Sequence, residues 1–149
     1  MTEAGSHHES FTIERIYPSR RDRVWAAWAI PEKKRVWFGD GLTDSDFREG
    51  GGETKEFVND MGTNTNRTHY FEIEEQAQIV FAYSMALNGR VHTVSLTTVE
   101  FSDVDEGTHL RYTEQMCVIP PSDGAKGRTH GWGALLDGLG RALADGVSP

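Results

Sequence analysis

From Thr129 to Ala144 the chain reads THGWGALLDGLGRALA, and Trp132, Leu135, Leu136, Leu139 and Leu143 recur at the i, i+3, i+4, i+7 and i+11 spacing of one helical face. Asp137 and Arg141 turn away from that stripe, so the spacing predicts an amphipathic helix that needs an apolar surface to lie on. Earlier in the chain the period differs. Phe11 and Ile13 alternate with Thr12 and Glu14 in a first strand that Pro18 ends. Ser19 and Asp22 have the spacing of a capping box and open a helix running to about Ala29, with Val24 and Trp28 on one face. Pro31 suits the first turn of a second, short helix, PEKKRVWF, and Gly39 is placed to stop it. The period then becomes two. Strands are predicted at 43–48, 53–58, 67–77, 79–88, 91–102 and 108–119, separated by turn clusters at Gly50–Gly52, Asn59–Asn64, Asn88-Gly89 and Asp103–Gly107. Pro120 to Arg128, PPSDGAKGR, reads as the loop that delivers the chain to its last helix.

Short links between successive strands make an antiparallel meander. The expected class is α+β: a curved seven-stranded antiparallel sheet wrapped around a long C-terminal helix, with two short helices after strand 1. The inward strand positions Phe81, Tyr83, Met85, Val99, Phe101, Leu110, Tyr112 and Met116 outnumber the bulky residues of the helix. Either these side chains close a solid core or a hollow remains between sheet and helix. Glycines 131, 133, 138 and 140 sharpen the question, because each costs about 1 kcal/mol relative to Ala inside a helix. They serve close packing or leave room for a ligand.

A chain of 149 residues suits one domain, with residues 1–9 expected as a flexible tail. The hydrophobic fraction of 37% and charged fraction of 26% are those of an ordinary globular protein, and the formal charge of −8, with no basic stripe, excludes nucleic acid as a natural partner. No segment has the length of a membrane span, and the first residues lack a secretory profile, so cytoplasm is the expected location. Cys117 has no second cysteine to pair with, which fits a reducing compartment. No metal is expected: His69, His92 and His109 fall on different strands and share no zinc-type spacing. No cofactor is expected either, since Gly131-Trp132-Gly133 lacks the strand that a dinucleotide fingerprint requires.

YPSRRDRVWAAW followed by PEKKRVWFG, DFREGG at the first hairpin, GTHLRYTEQ in the last strand and HGWGALLDGLGRAL at the end occur in this order. Together they resemble the bacterial relatives of the Hsp90 ATPase activator C-terminal domain, within the START-like (SRPBCC, helix-grip) superfamily that also holds polyketide cyclases and lipid-transfer domains. The resemblance spans about residues 11 to 144 and implies a helix-grip fold around an apolar cavity, with residues 10–149 a single START-like domain. It carries no shared catalytic signature.

Within that frame Glu114 stands out. The alternation Leu110, Tyr112, Glu114, Met116, Val118 places a carboxylate on an otherwise apolar face, where it can act as acid, base or polar anchor for a ligand. Tyr83 and Tyr112 offer phenolic hydroxyls beside it. Trp37, Phe81, Phe101, Met116 and Trp132 complete the expected ligand-binding wall. The leading expectation is a binding module for a small apolar or amphipathic ligand. The alternatives are a polyketide cyclase- or hydratase-like enzyme using Glu114 and a tyrosine, and a chaperone-associated interaction module. A homodimer is left open.

Overall fold

The computed structural model describes residues 5–145. The elements run β1 (His7–Tyr17), α1 (Arg21–Ala29), α2 (Pro31–Phe38), β2 (Leu42–Thr43), β3 (Gly52–Asn59), β4 (Gly62–Glu74), β5 (Gln78–Leu87), β6 (Arg90–Val104), β7 (Gly107–Val118) and α3 (Ala125–Ala144). All pairings in the seven-stranded sheet are antiparallel, in the order β1-β7-β6-β5-β4-β3-β2. Strand 1 closes onto the last strand, and the curved sheet grips α3 as expected.

Turn chemistry sets the register. Asn88 and Gly89 have φ of 52° and 84°, the left-handed pair that a two-residue hairpin of matching twist requires, and Leu87 faces Arg90 across it. Asn59 faces Gly62, and its side-chain oxygen accepts the Met61 amide at 2.9 Å, so this turn is tighter than the expected Asn59–Asn64 cluster and β4 starts early. The predicted strand at 43–48 shrinks to Leu42–Thr43. Asp44 takes a φ of 55°, and the chain folds over itself through Asp46 N–H to Gly52 O at 2.8 Å. Phe47 is thereby dropped onto Trp25 and Tyr70, with ring centroids 5.8 and 5.1 Å away.

Two expectations about the first residues are corrected. His7 to Glu9 of the expected tail are strand, paired with β7 from His7↔Val118 onward, because Glu9 also accepts the Ala125 amide at 2.6 Å and so caps α3. That backbone bond, helped by His7, holds the Glu9 carboxyl below its ordinary pKa. Residues 1–4 of the tail, and 146–149 of the expected domain, lie outside the described residues. Ser19 forms no capping box with Asp22: its amide donates to Tyr17 O at 2.8 Å and its carbonyl accepts from Thr108 Oγ1 at 2.7 Å.

The apolar stripe of α3 behaves as its spacing implies. Trp132, Leu136, Leu139 and Leu143 are buried, each contributing about 1.5–3 kcal/mol, while Leu135 is half-buried at the edge. Tyr17 Oη donates to Leu136 O at 2.8 Å, and burial raises that phenol's pKa. The helix glycines divide by role. A Cβ on Gly140 would lie 3.3 Å from the Tyr17 ring, so this position serves close packing. A Cβ on Gly131 would meet nothing within 4 Å. Gly131→Ala is therefore expected to stabilise the protein by about 1 kcal/mol, read as a higher urea midpoint at unchanged slope. A lower midpoint would show that the site is not open.

Candidate functional site

Alternation along β7 turns Leu110, Tyr112, Glu114 and Met116 towards α3, and all are buried. Glu114 is 0% exposed. A carboxylate removed from water costs several kcal/mol unless its oxygens find donors, and here each does. Tyr112 Oη donates to Oε1 at 2.6 Å, and the Tyr83 hydroxyl lies 2.7 Å from both oxygens. Ser95 Oγ donates to Oε2 at 2.6 Å and Arg128 Nη1 at 2.9 Å. Arg128 also donates to Tyr83 Oη at 2.9 Å and to Thr93 Oγ1, and Trp132 Nε1 donates to Tyr83 Oη at 3.2 Å. Burial above all, reinforced for Tyr83 by the Glu114 charge, pushes both phenols well up, so they remain donors. Glu114 thus ties β5, β6 and β7 to α3. Its lone pairs are committed, and Tyr83 and Arg128 stand between it and the nearest hollow.

A second buried cluster escaped the sequence reading. Lys34 Nζ donates to Glu53 Oε2 at 2.6 Å and to Tyr70 Oη at 3.2 Å, while Tyr70 donates to Glu53 Oε1 at 2.8 Å. Burial, with the Glu53 charge beside it, raises the Tyr70 phenol. Lys34 precedes Trp37 and Phe38 by three and four positions, which is the helical spacing of a shared face, and that spacing was the available signal.

Between these clusters lies a pocket of about 260 Å³. The sheet contributes Lys55, Phe57, Asn66, Tyr83 and Met85, α2 contributes Phe38, and α3 contributes Gly127, Arg128, Gly131, Trp132 and Leu135. Of the residues expected to form the ligand wall, Tyr83 and Trp132 line it. Phe81, Phe101, Tyr112, Glu114 and Met116 are buried but do not line it, and Trp37 instead lines a separate hollow of about 350 Å³ between α2 and α3. The expected central hollow is filled because α1 and α2 insert rings that a comparison of sheet with last helix leaves out. Trp28 lies 4.8 Å from Trp37 and 6.0 Å from Trp132, Phe101 lies 5.1 Å from Trp25, and Trp132 stacks on Tyr112 at 4.4 Å. Larger hollows, of about 660 and 490 Å³, are surface grooves along the Pro18 loop, and one of about 480 Å³ lies beside Met61, Leu87 and Pro121. None of these separates the sheet from α3.

Lys55 is the unusual group in the pocket. Its ammonium lies 4.2 Å from the Phe38 ring centroid and 5.3 Å from that of Phe57. Burial, then the Lys34 charge, pulls its pKa down to about 8 against a partial counter-effect of Glu53. Among the described residues, no group of three or more His, Cys, Asp or Glu could hold a metal ion, and no helix is long and apolar enough to cross a membrane.

Residues 18–144 match a family model described as activator of Hsp90 ATPase homolog 1-like protein. No curated protein matches the chain. Among solved structures, the Mll3558 protein from Rhizobium loti is 38% identical, with a TM-score of 0.86 over 92% of this chain and 98% of that one. A protein from Rhizobium leguminosarum is 33% identical, with a TM-score of 0.89 over 97% and 99% of the two chains. DynU16, a protein of the dynemicin biosynthetic locus, shares the fold at 20% identity and a TM-score of 0.73, over 92% of this chain and 48% of that one.

Proposed function

Because the chain belongs to the family of activator of Hsp90 ATPase homolog 1-like proteins, and because a pocket survives between its sheet and last helix, we propose that it binds a small apolar or amphipathic molecule there. The pocket itself carries this reading. Phe38, Met85, Trp132, Leu135 and the Tyr83 ring offer the body of a ligand an apolar wall, while Asn66 and Arg128 offer polar groups for its head. That mixture marks small-molecule sites, and the volume sits just below the common range of about 300–1,000 Å³. Glu114 acts by holding Tyr83 and Arg128 in place. Proton transfer to a ligand is not favoured, because its carboxylate is screened from the pocket by the residues it orients.

Native mass spectrometry of the protein from its own host is the direct test. A small molecule released on denaturation is expected, and Gly131→Phe, which fills the open space at the pocket rim without entering the core, should lose it while staying folded. Purification with no adduct, or an adduct retained in Gly131→Phe, would count against this site.

A further inference from the structure

Charge bookkeeping around the pocket leaves one cation over. Arg128 from α3 is paired with Glu114 of β7 at 2.9 Å, and Lys34 from α2 with Glu53 of β3 at 2.6 Å. Lys55 follows Glu53 by two positions on the same strand face, yet among the described residues no carboxylate pairs with it, and the pocket lining contains none. Its stem crosses Gly39, where a Cβ would lie 3.0 Å from Lys55 Cε, and its head rests on the rings of Phe38 and Phe57. In a chain whose formal charge is −8, an unmatched half-buried cation is a cost to the fold. An anion seated in the pocket would remove it.

On the reading that this pocket holds a small molecule, we propose that the ligand is a monoanion, a carboxylate or a similarly charged acid on an aromatic or short aliphatic body, with its charge on Lys55 and its body against Trp132, Leu135 and Met85. Arg128 adds a second donor edge, its own charge being answered by Glu114. The lysine, rather than the buried acid, is then the group that selects the ligand. A bound anion holds Lys55 protonated, so affinity is full between the acid's own pKa, about 4–5, and about pH 8, and falls as pH rises through the upper value. The charged groups that act on it are Lys34 and Glu53, with Arg128 in the same pocket lining and the Tyr83 phenol kept protonated by burial.

The test uses matched pairs: phenylacetate, naphthaleneacetate and decanoate, each against its uncharged primary amide, titrated calorimetrically into the full chain. In the wild type the acids should bind on the order of 10- to 100-fold more tightly than the amides, the range for a hydrogen bond to a charged partner. Lys55→Met should abolish that preference and leave amide binding and the urea midpoint no lower, whereas Lys55→Arg should keep it and lose the fall above pH 8. Equal binding of acids and amides, or a preference that survives in Lys55→Met, overturns the assignment of charge and leaves the ligand reading standing. Absence of binding by every pair overturns both.

Discussion

Glu114→Gln is expected to destabilise the protein by about 3–5 kcal/mol, the range for breaking a buried ion pair by removing one partner. Glutamine preserves shape but replaces an acceptor oxygen with an NH₂ that points at donors. Arg128, with its side chain only 11% exposed, would then have no counter-charge, and Ser95 or Tyr112 would lose its acceptor. In a chain of this size the midpoint should fall by roughly 10 °C. Replacing both ions, as in Glu114→Leu with Arg128→Met, should recover only the share due to the stranded charge, because Tyr83, Tyr112 and Ser95 still lose their acceptor. A loss below about 1 kcal/mol for Glu114→Gln in urea unfolding would mean that the carboxylate is not what holds Arg128.

Trp132→Ala should cost a similar amount, about 3–5 kcal/mol, for a different reason. Its ring stacks on Tyr112 at 4.4 Å, lies 6.0 Å from Trp28 and 5.7 Å from Phe38, and its Nε1 donates to Tyr83. Removing it takes one wall from both the core and the pocket, and Trp37 cannot move in alone because its Nε1 is tied to Ala27 O of α1 at 2.8 Å. Trp132→Phe should lose less than half as much, since it keeps ring contacts and forfeits the N–H bond. Near-ultraviolet circular dichroism should report the loss of the coupled tryptophans in Trp132→Ala. Equal losses in both variants would locate the effect in the hydrogen bond rather than the packing.

Much of the framework was legible along the chain. The α3 stripe, the two short helices, the Asn-Gly hairpin and the inward alternation through Glu114 depend on local periodicity, and local periodicity is written in consecutive residues. What escaped depends on partners far apart. PPSDGAKGR reads as loop because of its Pro and Gly content, yet α3 starts at Ala125 because Gly124 turns at φ 67° and Glu9, from the other end of the chain, accepts the first helical amide. That extension places Arg128 on a helix facing Glu114, an ion pair that no spacing rule announces. Whether sheet and helix enclose a hollow was not legible, because Trp28, Trp37 and Phe38 reach the interior from α1 and α2. Lys34, Glu53 and Lys55 were legible only as polar residues on faces whose burial depended on that packing.

β1 lies between solvent and β7, with Phe11 opposite Glu114, and its Glu9 caps the closing helix. β1 has no partner in the sheet other than β7, so during synthesis it stays unpaired until the five strands between them have followed it. Contacts this distant along the chain slow folding, and the pocket takes shape only once α3 has joined the sheet.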